Sequence, residues 1–205
     1  DEVIVPDLTF AATINAVFHC GATPILVDVG EDSWNISANT VEGFITNKTR
    51  AIIIVHLYGQ PCNITQFRQL ADKYNLLLIE DSAEALGSTY NGDLVGTHGD
   101  ASIFSFFGNK TITTGEGGMV VTQNKKIYQK AFILRNQGMS LHKKYWQDDI
   151  GFNYRMTNLQ AAIGLAQLEN FNNIIKKKLK VAKLYECEIK KLKLNIKNKI
   201  ILPFK

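Results

Sequence analysis

Two charged side chains, Lys110 and Asp81, have the types and the spacing for covalent chemistry on a carbonyl group. Lys110 lies in the run FSFFGNKTITTGEGGMVV, and Asp81 ends the apolar, strand-like run LLLIED. A lysine amine can form a Schiff base with an aldehyde, and a carboxylate can keep a pyridine nitrogen protonated. These are the two charged groups that pyridoxal phosphate (PLP) needs, so the pair predicts an enzyme that uses this cofactor.

Each of the two residues also has an ordinary structural interpretation. An Asp directly after a strand can cap the N-terminus of a following helix, and a lysine in a loop is most often a solvated surface residue. Phe104, Phe106 and Phe107 lie just before Lys110 and indicate an apolar, partly buried setting, which favours Schiff-base chemistry at an amine. Asp81 follows a predicted parallel strand, and ligands bind at the carboxyl ends of such strands in open α/β sheets.

Short β-rich runs alternate with helical patterns along residues 3–81. This alternation predicts βαβ units and a mainly parallel sheet with flanking helices. The predicted strands are VIVP, PILVDV, AIIIVHLYG and LLLIED, and the predicted helices cover about 13–20, 37–45 and 64–74. The later strands ASIFSF and GMVVT are joined by a Gly-rich turn with no room for a crossover helix, so one of them is predicted to run antiparallel. A helix over 126–136 is predicted next.

Composition and length fit one sizeable α/β domain. The chain has 205 residues, of which 45% are hydrophobic, as is usual for a globular protein with a buried core. No apolar run approaches the roughly 18 residues of a membrane helix, and the first residues, DEVIVPDLTF, have neither a basic region nor a cleavage site. We therefore expect a cytoplasmic protein with no membrane partner.

Cysteines and histidines are few and scattered. Cys20, Cys62 and Cys187 are far apart in the sequence, which favours unpaired thiols over a disulfide framework or a zinc ribbon. The four histidines have no metal-ligand spacing, so no metal site is expected.

Lysines are concentrated in the last part of the chain. Residues 170–205 contain eleven Lys and two Glu, a balance that could serve binding to nucleic acid or to an acidic membrane. Apolar residues recur every three or four positions from Leu168 to Leu192, so the lysines fall on the solvated face of one long amphipathic helix. No nucleic-acid-binding motif accompanies the charge, and we expect no nucleic-acid partner.

Three blocks of the sequence resemble the signature blocks of a known enzyme family. They are IEDSAEALGS, SFFGNKTITTGEGGMV (105–120) and GFNYRMTNLQAAIG (151–164). In identities and in spacing they are similar to the PLP-dependent nucleotide-sugar aminotransferases, the DegT/StrS group of fold type I enzymes. The similarity runs from the first residue to about Leu192. It implies the large domain of the fold type I PLP-transferases.

The resemblance also implies domain boundaries. Residues 1–156 would form part of the PLP-binding large domain, and residues 157–205 a long helix leading to a smaller C-terminal domain. Family members have an earlier segment with a phosphate-binding Gly-Thr turn, and they have that C-terminal domain. Since neither is recognised here, the chain is expected to be a fragment of a longer polypeptide.

Five residues of the motifs receive roles around the cofactor from the resemblance. It implies that Lys110 forms the Schiff base and moves the proton, and that Asp81 holds the pyridinium. Ser105 would hydrogen-bond the cofactor phosphate. Phe10 and Ala83 would lie on the two faces of the pyridine ring, although an ordinary core position is the alternative for Phe10.

Asn153 and Glu84 have two further implied roles, one at a subunit interface and one in distinguishing subgroups of the family. Asn153 would reach the phosphate of the neighbouring subunit, which implies a homodimer with shared active sites; the alternative is that Asn153 or Thr157 only caps a helix. Glu84 stands where many members place His or Gln, facing the phenolic oxygen of the cofactor. A carboxylate there repels a phenolate unless one proton is shared, and members that act on a GDP-linked sugar resemble this chain in having it.

The activity that the resemblance implies is transfer of an amino group from L-glutamate to the C4 ketone of a nucleotide-linked 4-keto-6-deoxy sugar, for the synthesis of a surface polysaccharide or glycan. GDP-4-keto-6-deoxymannose is favoured over dTDP- or UDP-linked sugars. Two other interpretations stay open. One is the related PLP-dependent sugar dehydratase, which replaces the lysine by histidine, and the other is a noncatalytic protein with an aminotransferase-like fold.

Overall fold

A six-stranded sheet forms the centre of the molecule. The computed structural model describes residues 1–191. The sheet contains β1 (Glu2–Pro6), β2 (Thr23–Val27), β3 (Thr49–Val55), β4 (Leu77–Asp81), β7 (Ala101–Ser105) and β8 (Gly118–Val121), in the order β2-β1-β3-β4-β7-β8. All neighbouring pairs are parallel except β7 and β8. The predicted mainly parallel sheet and its antiparallel strand are therefore confirmed. A hairpin of β5 (Thr89–Tyr90) and β6 (Asp93–Leu94), which was not predicted, lies outside this sheet.

Helices flank the sheet, and four of them begin at a residue whose side chain caps the helix. They are α1 (Ala11–His19), α2 (Ala38–Glu42), α3 (Ile64–Tyr74), α4 (Lys125–Leu134), α5 (Asn158–Glu169) and α6 (Phe171–Lys191), with a short 3-10 helix at Leu57–Gly59. The side chains of Ser37, Asn63, Asn124 and Thr157 accept backbone N–H groups at the starts of α2, α3, α4 and α5. Such caps satisfy amides that have no partner inside the helix.

The core lies on both faces of the parallel strands. Alternate residues of a strand point to opposite faces, and the buried side chains follow that rule. Ile4, Ile52 and Leu78 pack on one face in a cluster that includes residues of α2 and α3. Val5 and Ile53 pack on the other face, against α1. The α/β layering thus follows from apolar strands whose two faces are both covered.

The C-terminal helical region differs from the prediction. The single long helix predicted over 157–205 is interrupted, because α5 ends at Glu169 with Asn170 as its C-cap and α6 begins at Phe171. The Asn173 side-chain amide donates to Asn170 Oδ1 at 2.7 Å, and such local side-chain bonds compete with a continuous helix. The apolar spacing continues across the break, which is why periodicity alone missed it. The part of the prediction that covers residues 192–205 lies outside the described residues.

α6 is held against the segment that follows β4. A Cβ added at Gly87, whose φ is +95°, would lie 2.9 Å from Phe171 Cζ and 3.0 Å from Ile175 Cδ1. Only glycine allows this conformation and this close approach together. The lysines of α6 are exposed, as predicted for its solvated face. None of the helices within residues 1–191 is long and apolar enough to cross a membrane.

Candidate active site

Several of the sequence-predicted residues lie at the carboxyl ends of β4 and β7. β4 ends at Asp81 and β7 ends at Ser105, and the two strands pair in parallel with Asp81 opposite Ile103. Parallel strands place their carboxyl ends at one edge of the sheet, and this is where ligands bind in open α/β sheets. The loop after β7 carries Lys110 to the same edge.

Asp81 is held by two donors on its two carboxylate oxygens. Thr13 donates its hydroxyl hydrogen to Asp81 Oδ2 at 2.7 Å, and the Ala83 amide donates to Oδ1 at 3.1 Å. The segment after Asp81 forms turns rather than a helix, so the helix-cap interpretation of Asp81 is wrong. The carboxylate closes a local turn and still has lone pairs for a further donor, since an ionised carboxylate offers about four acceptor positions.

Lys110 meets Glu84 across the site. Lys110 Nζ lies 3.6 Å from Glu84 Oε1, and the side chains are 20% and 30% exposed. The other oxygen, Glu84 Oε2, accepts the Tyr58 amide at 2.8 Å. The lysine is therefore a half-buried amine beside a carboxylate, and its interpretation as a solvated surface residue is wrong. Glu84 is three residues after Asp81, so Lys110 contacts the short segment that begins at the end of β4.

Tyr58 is a neighbour that the sequence analysis did not single out. Its backbone has φ 51° and ψ 25°, a left-handed conformation that costs energy for a residue with a side chain. Its ring makes an edge contact with Trp34, with the centroids 6.1 Å apart. The bond to Glu84 is one contact that holds this strained backbone in place.

Ser105 and Phe10 occupy positions open to a ligand. Ser105 Oγ accepts the Phe107 amide at 3.3 Å, a bond that leaves the hydroxyl hydrogen free to donate elsewhere. Phe10 is the residue before α1 and is 78% exposed, so the interpretation as a core phenylalanine is wrong. An exposed aromatic ring can stack on another ring.

Asn153 lies apart from these groups. Its backbone pairs with Asn136, and its side chain lines a cavity of about 730 Å³ beside β8 and α4, which also contains Arg135 and Tyr154. Lys110 does not line that cavity. Thr157, not Asn153, caps α5 and forms a capping box with Gln160. The structure of one chain therefore leaves Asn153 outside the cluster of Asp81, Glu84 and Lys110.

A buried hydrogen-bond network around Glu80 was missed by the sequence analysis. Glu80 and His56 are fully buried, and His56 Nε2 lies 3.0 Å from Glu80 Oε2. Since the Cys62 amide donates to His56 Nδ1 at 3.1 Å, the ring presents its Nε2–H to Glu80. Glu80 also accepts the amides of Gly96 and Gly99 at 2.8 and 2.6 Å. The network joins the ends of β3 and β4 to the loop before β7.

The bonds of this network outweigh the cost of burying a charge. Burial alone would raise the pKa of Glu80. The hydrogen bonds from His56 and from the backbone amides of the 96–99 loop have the larger, opposite effect and lower the pKa to about 2. Glu80 is therefore ionised at neutral pH. Burial, reinforced by the charge of Glu80, raises the pKa of the Cys62 thiol, so this cysteine is a packed, unreactive group. Cys20, Cys62 and Cys187 are unpaired, as predicted.

The geometry provides an amine, a firmly held carboxylate, an exposed aromatic ring and a serine hydroxyl around one edge of the sheet. The family resemblance gives these groups roles around PLP, and those roles stay predictions. Within residues 1–191, no group of three or more His, Cys, Asp or Glu side chains is placed to hold a metal ion.

Comparison with known proteins places the chain in a family. Residues 1–200 match the DegT/DnrJ/EryC1/StrS aminotransferase family. The chain belongs to this family. The GDP-perosamine synthase of Escherichia coli O157:H7 is 55% identical over 192 residues, which cover 94% of this chain and 53% of that protein. The chain spans about half the length of the curated relatives it matches.

Solved structures of sugar aminotransferases share the fold. Helicobacter pylori PseC, an aminotransferase involved in the biosynthesis of pseudoaminic acid, superposes with a TM-score of 0.88 at 33% identity, covering 94% of this chain and 52% of PseC. The putative sugar aminotransferase Spr1654 of Streptococcus pneumoniae, in its PLP form, superposes with a TM-score of 0.87 at 30% identity, covering 93% of this chain and 54% of that one. The predicted fold class, the large domain of the PLP-dependent aminotransferases, is confirmed.

Proposed function

We propose that the protein is a PLP-dependent aminotransferase that moves an amino group from L-glutamate to the C4 ketone of a nucleotide-linked 4-keto-6-deoxy sugar. The observation that carries the proposal is that the Lys110 amine lies 3.6 Å from Glu84 Oε1. Glu84 is three residues after Asp81, whose carboxylate is held by donors from Thr13 and Ala83. Membership of the aminotransferase family supports the reaction type.

The residues present fit PLP. Asp81 would accept the hydrogen of the pyridine nitrogen, Phe10 and Ala83 would lie on the faces of the ring, and Ser105 would donate to the phosphate. Lys110 would hold the aldehyde carbon covalently. When bound, PLP supplies an electron-withdrawing ring that lets a C–H bond of the amino donor ionise.

The chain's own groups would then handle protons and orientation. The Lys110 amine would serve as the general base and then the general acid that moves a proton of the amino donor. Asp81 would keep the ring nitrogen protonated by its charge. Glu84 contacts Lys110 and accepts the Tyr58 amide, and by the family resemblance it would face the phenolic oxygen of PLP, with one proton shared between the two.

A GDP-linked sugar is the favoured substrate, with GDP-4-keto-6-deoxymannose first. Support comes from the 50–55% identity to proteins named GDP-perosamine synthase and from the glutamate at position 84. The role would be synthesis of a surface polysaccharide or glycan. A sugar dehydratase is disfavoured because this chain has a lysine at position 110, where that subgroup has histidine.

A homodimer with shared sites is part of the proposal. Asn153 lies outside the cluster of its own chain, which suits a residue that serves a neighbour's phosphate. Apolar side chains of α5 are more than half exposed, namely Leu159, Ile163, Leu165 and Leu168, and exposed apolar surface is typical of association interfaces. The unpaired cysteines favour the cytoplasm as the compartment.

An assay of both reaction products tests this function. The protein is incubated with PLP, L-glutamate and GDP-4-keto-6-deoxymannose, and 2-oxoglutarate and the amino sugar are measured. We expect the two products in equal amounts, and slower reaction with dTDP- or UDP-linked 4-keto-6-deoxyglucose. Loss of a sugar hydroxyl without formation of 2-oxoglutarate would instead identify a dehydratase, and failure to take up PLP would identify a noncatalytic protein.

A further inference from the structure

A chain of two hydroxyl groups connects the start of α1 to the candidate cofactor carboxylate. Thr13 Oγ1 lies 2.7 Å from Asp81 Oδ2, and Thr9 Oγ1 lies 3.1 Å from Thr13 Oγ1. Thr13 is 6% exposed, so water cannot readily replace its hydroxyl. Thr13 and Asp81 are 68 positions apart in the sequence, and the contact exists only because α1 packs beside the end of β4.

The direction of both hydrogen bonds follows from the chemistry of the groups. An ionised carboxylate has no hydrogen to give, so Thr13 must donate to Asp81. A hydroxyl has a single hydrogen, so Thr13 can only accept from Thr9, which makes Thr9 the donor of the second bond. Both hydroxyl dipoles therefore point toward Asp81, and hydrogen bonds aligned in this way strengthen one another.

The two donors on Asp81 fix the carboxylate plane. Thr13 takes one oxygen and the Ala83 amide takes the other, so rotation about the carboxylate bond would break at least one of them. Bonds from neutral donors to a charged acceptor are among the stronger ones in proteins. The remaining lone pairs are thereby aimed in a set direction.

We propose that Thr13 is a positioning residue that orients Asp81 toward the ring nitrogen of PLP, with Thr9 supporting it. The inference rests on the proposed function, because it requires that Asp81 be the partner of that nitrogen. Thr9 and Thr13 flank Phe10, the candidate stacking residue at the start of α1. The short segment 9–13 would therefore supply the aromatic ring that stacks on PLP and the hydroxyl that orients Asp81 toward the ring nitrogen.

The test replaces the hydroxyl while keeping the shape of the side chain. Thr13→Val removes the donor, Thr13→Ser retains it, and Thr49→Val is the matched control. Thr49 is equally buried, its hydroxyl accepts the Thr46 amide at 2.9 Å, and it begins β3 at the opposite edge of the sheet from Asp81. Thr13→Ala replaces the valine variant if that variant does not fold, as judged by circular dichroism.

Two measurements are made on each purified protein, neither of which is turnover. The first is the dissociation constant of PLP from an absorbance titration, and the second is the ¹⁵N chemical shift of the ring nitrogen in bound, ¹⁵N-labelled PLP. We expect Thr13→Val to weaken PLP binding about tenfold, the size expected for one lost bond to a charged group. We expect it to move the nitrogen signal in the same direction as Asp81→Asn does. Thr13→Ser and Thr49→Val should match the wild type in both measurements.

The possible failures are distinguishable. If the wild type binds PLP and Thr13→Val matches it in affinity and in nitrogen shift, the positioning role is refuted while the proposed function stands. Equal losses in Thr13→Val and Thr49→Val would also refute it, because they would reflect stability alone. A wild type that binds no PLP would overturn the proposed function and this role together.

Discussion

Lys110 and Glu84 form an ion pair across the candidate site, with Nζ 3.6 Å from Oε1. The pair connects the loop after β7 to the segment after β4, and the second oxygen of Glu84 extends the connection to the Tyr58 amide at 2.8 Å. One side chain thus holds three segments of the chain at the carboxyl edge of the sheet.

Substitution of Glu84 separates its charge from its capacity to accept a hydrogen bond. Glu84→Gln should keep activity within about fivefold of the wild type, because the amide oxygen still accepts the Tyr58 amide and a partly exposed ion pair contributes little. Glu84→Ala should lose about tenfold or more, since the Tyr58 amide is left without this partner. Initial rates of 2-oxoglutarate formation provide the comparison. Equal losses in the two variants would show that the charge, not the hydrogen bond, is what matters.

Asp81→Asn should abolish most activity without unfolding the protein. The amide keeps the size of the side chain and an oxygen for the Ala83 amide, but it removes the charge that would hold the ring nitrogen protonated. We expect turnover to fall at least about a hundredfold, as for removal of a well-placed electrostatic group in a catalytic site. Asp93→Asn, at an exposed position in β6, is the matched control. Near-normal turnover in Asp81→Asn would show that the charge of Asp81 is not needed for catalysis and that the residue only closes a turn.

The buried Glu80 predicts acid sensitivity of the fold. Its pKa in the folded protein is about 2, below the ordinary value of 4.5. A carboxyl whose pKa is depressed by folding contributes stability above the unfolded pKa, and that contribution is lost as the pH falls toward the folded pKa. The free energy of unfolding should therefore decrease between about pH 5 and pH 2, by up to roughly 3 kcal/mol from this group.

Glu80→Gln isolates this contribution. Urea unfolding at pH 7, 4 and 3 should show a variant that is less stable than the wild type at pH 7 but has a weaker dependence on pH below 4.5. Glu31→Gln, an exposed position after β2, should keep the wild-type dependence. An unchanged slope in Glu80→Gln would mean that other carboxyl groups cause the acid sensitivity.

Much of the architecture could be predicted because it follows from local patterns. β3 and β4 are apolar runs bounded by polar residues, and the Gly-rich turn between β7 and β8 is too short for a crossover helix. The position of Asp81 at a strand end follows from the same reasoning. The break at Asn170 was missed because the apolar spacing of α5 continues in phase into α6.

The contacts that complete the site could not be predicted from those patterns. Thr13 reaches Asp81, and His56 reaches Glu80, only through the packing of elements distant in the sequence. A Glu inside an apolar strand gives no signal of its partner, since burial of a carboxylate depends on donors that arrive from another loop. The strained Tyr58 backbone likewise depends on its bond to Glu84.

Subunit complementation tests the role of Asn153. Lys110→Ala and Asn153→Ala should each be inactive alone and should regain part of the activity when mixed and allowed to exchange subunits. In a mixed dimer, one site would combine an intact Lys110 with an intact Asn153 from the other chain, and the second site would lack both. If Asn153 acted within its own chain, each site would stay defective. Absence of recovery despite demonstrated subunit exchange would falsify the shared-site arrangement.

The central claim, that Lys110 carries the cofactor, is tested most directly by chemical trapping. The protein is loaded with PLP, reduced with borohydride and digested, and the peptides are mapped by mass spectrometry. We predict a pyridoxyl label on Lys110, with loss of visible absorbance on reduction, and no specific label in Lys110→Ala. A specific label on another lysine, or a wild type that takes up no PLP, would contradict the account.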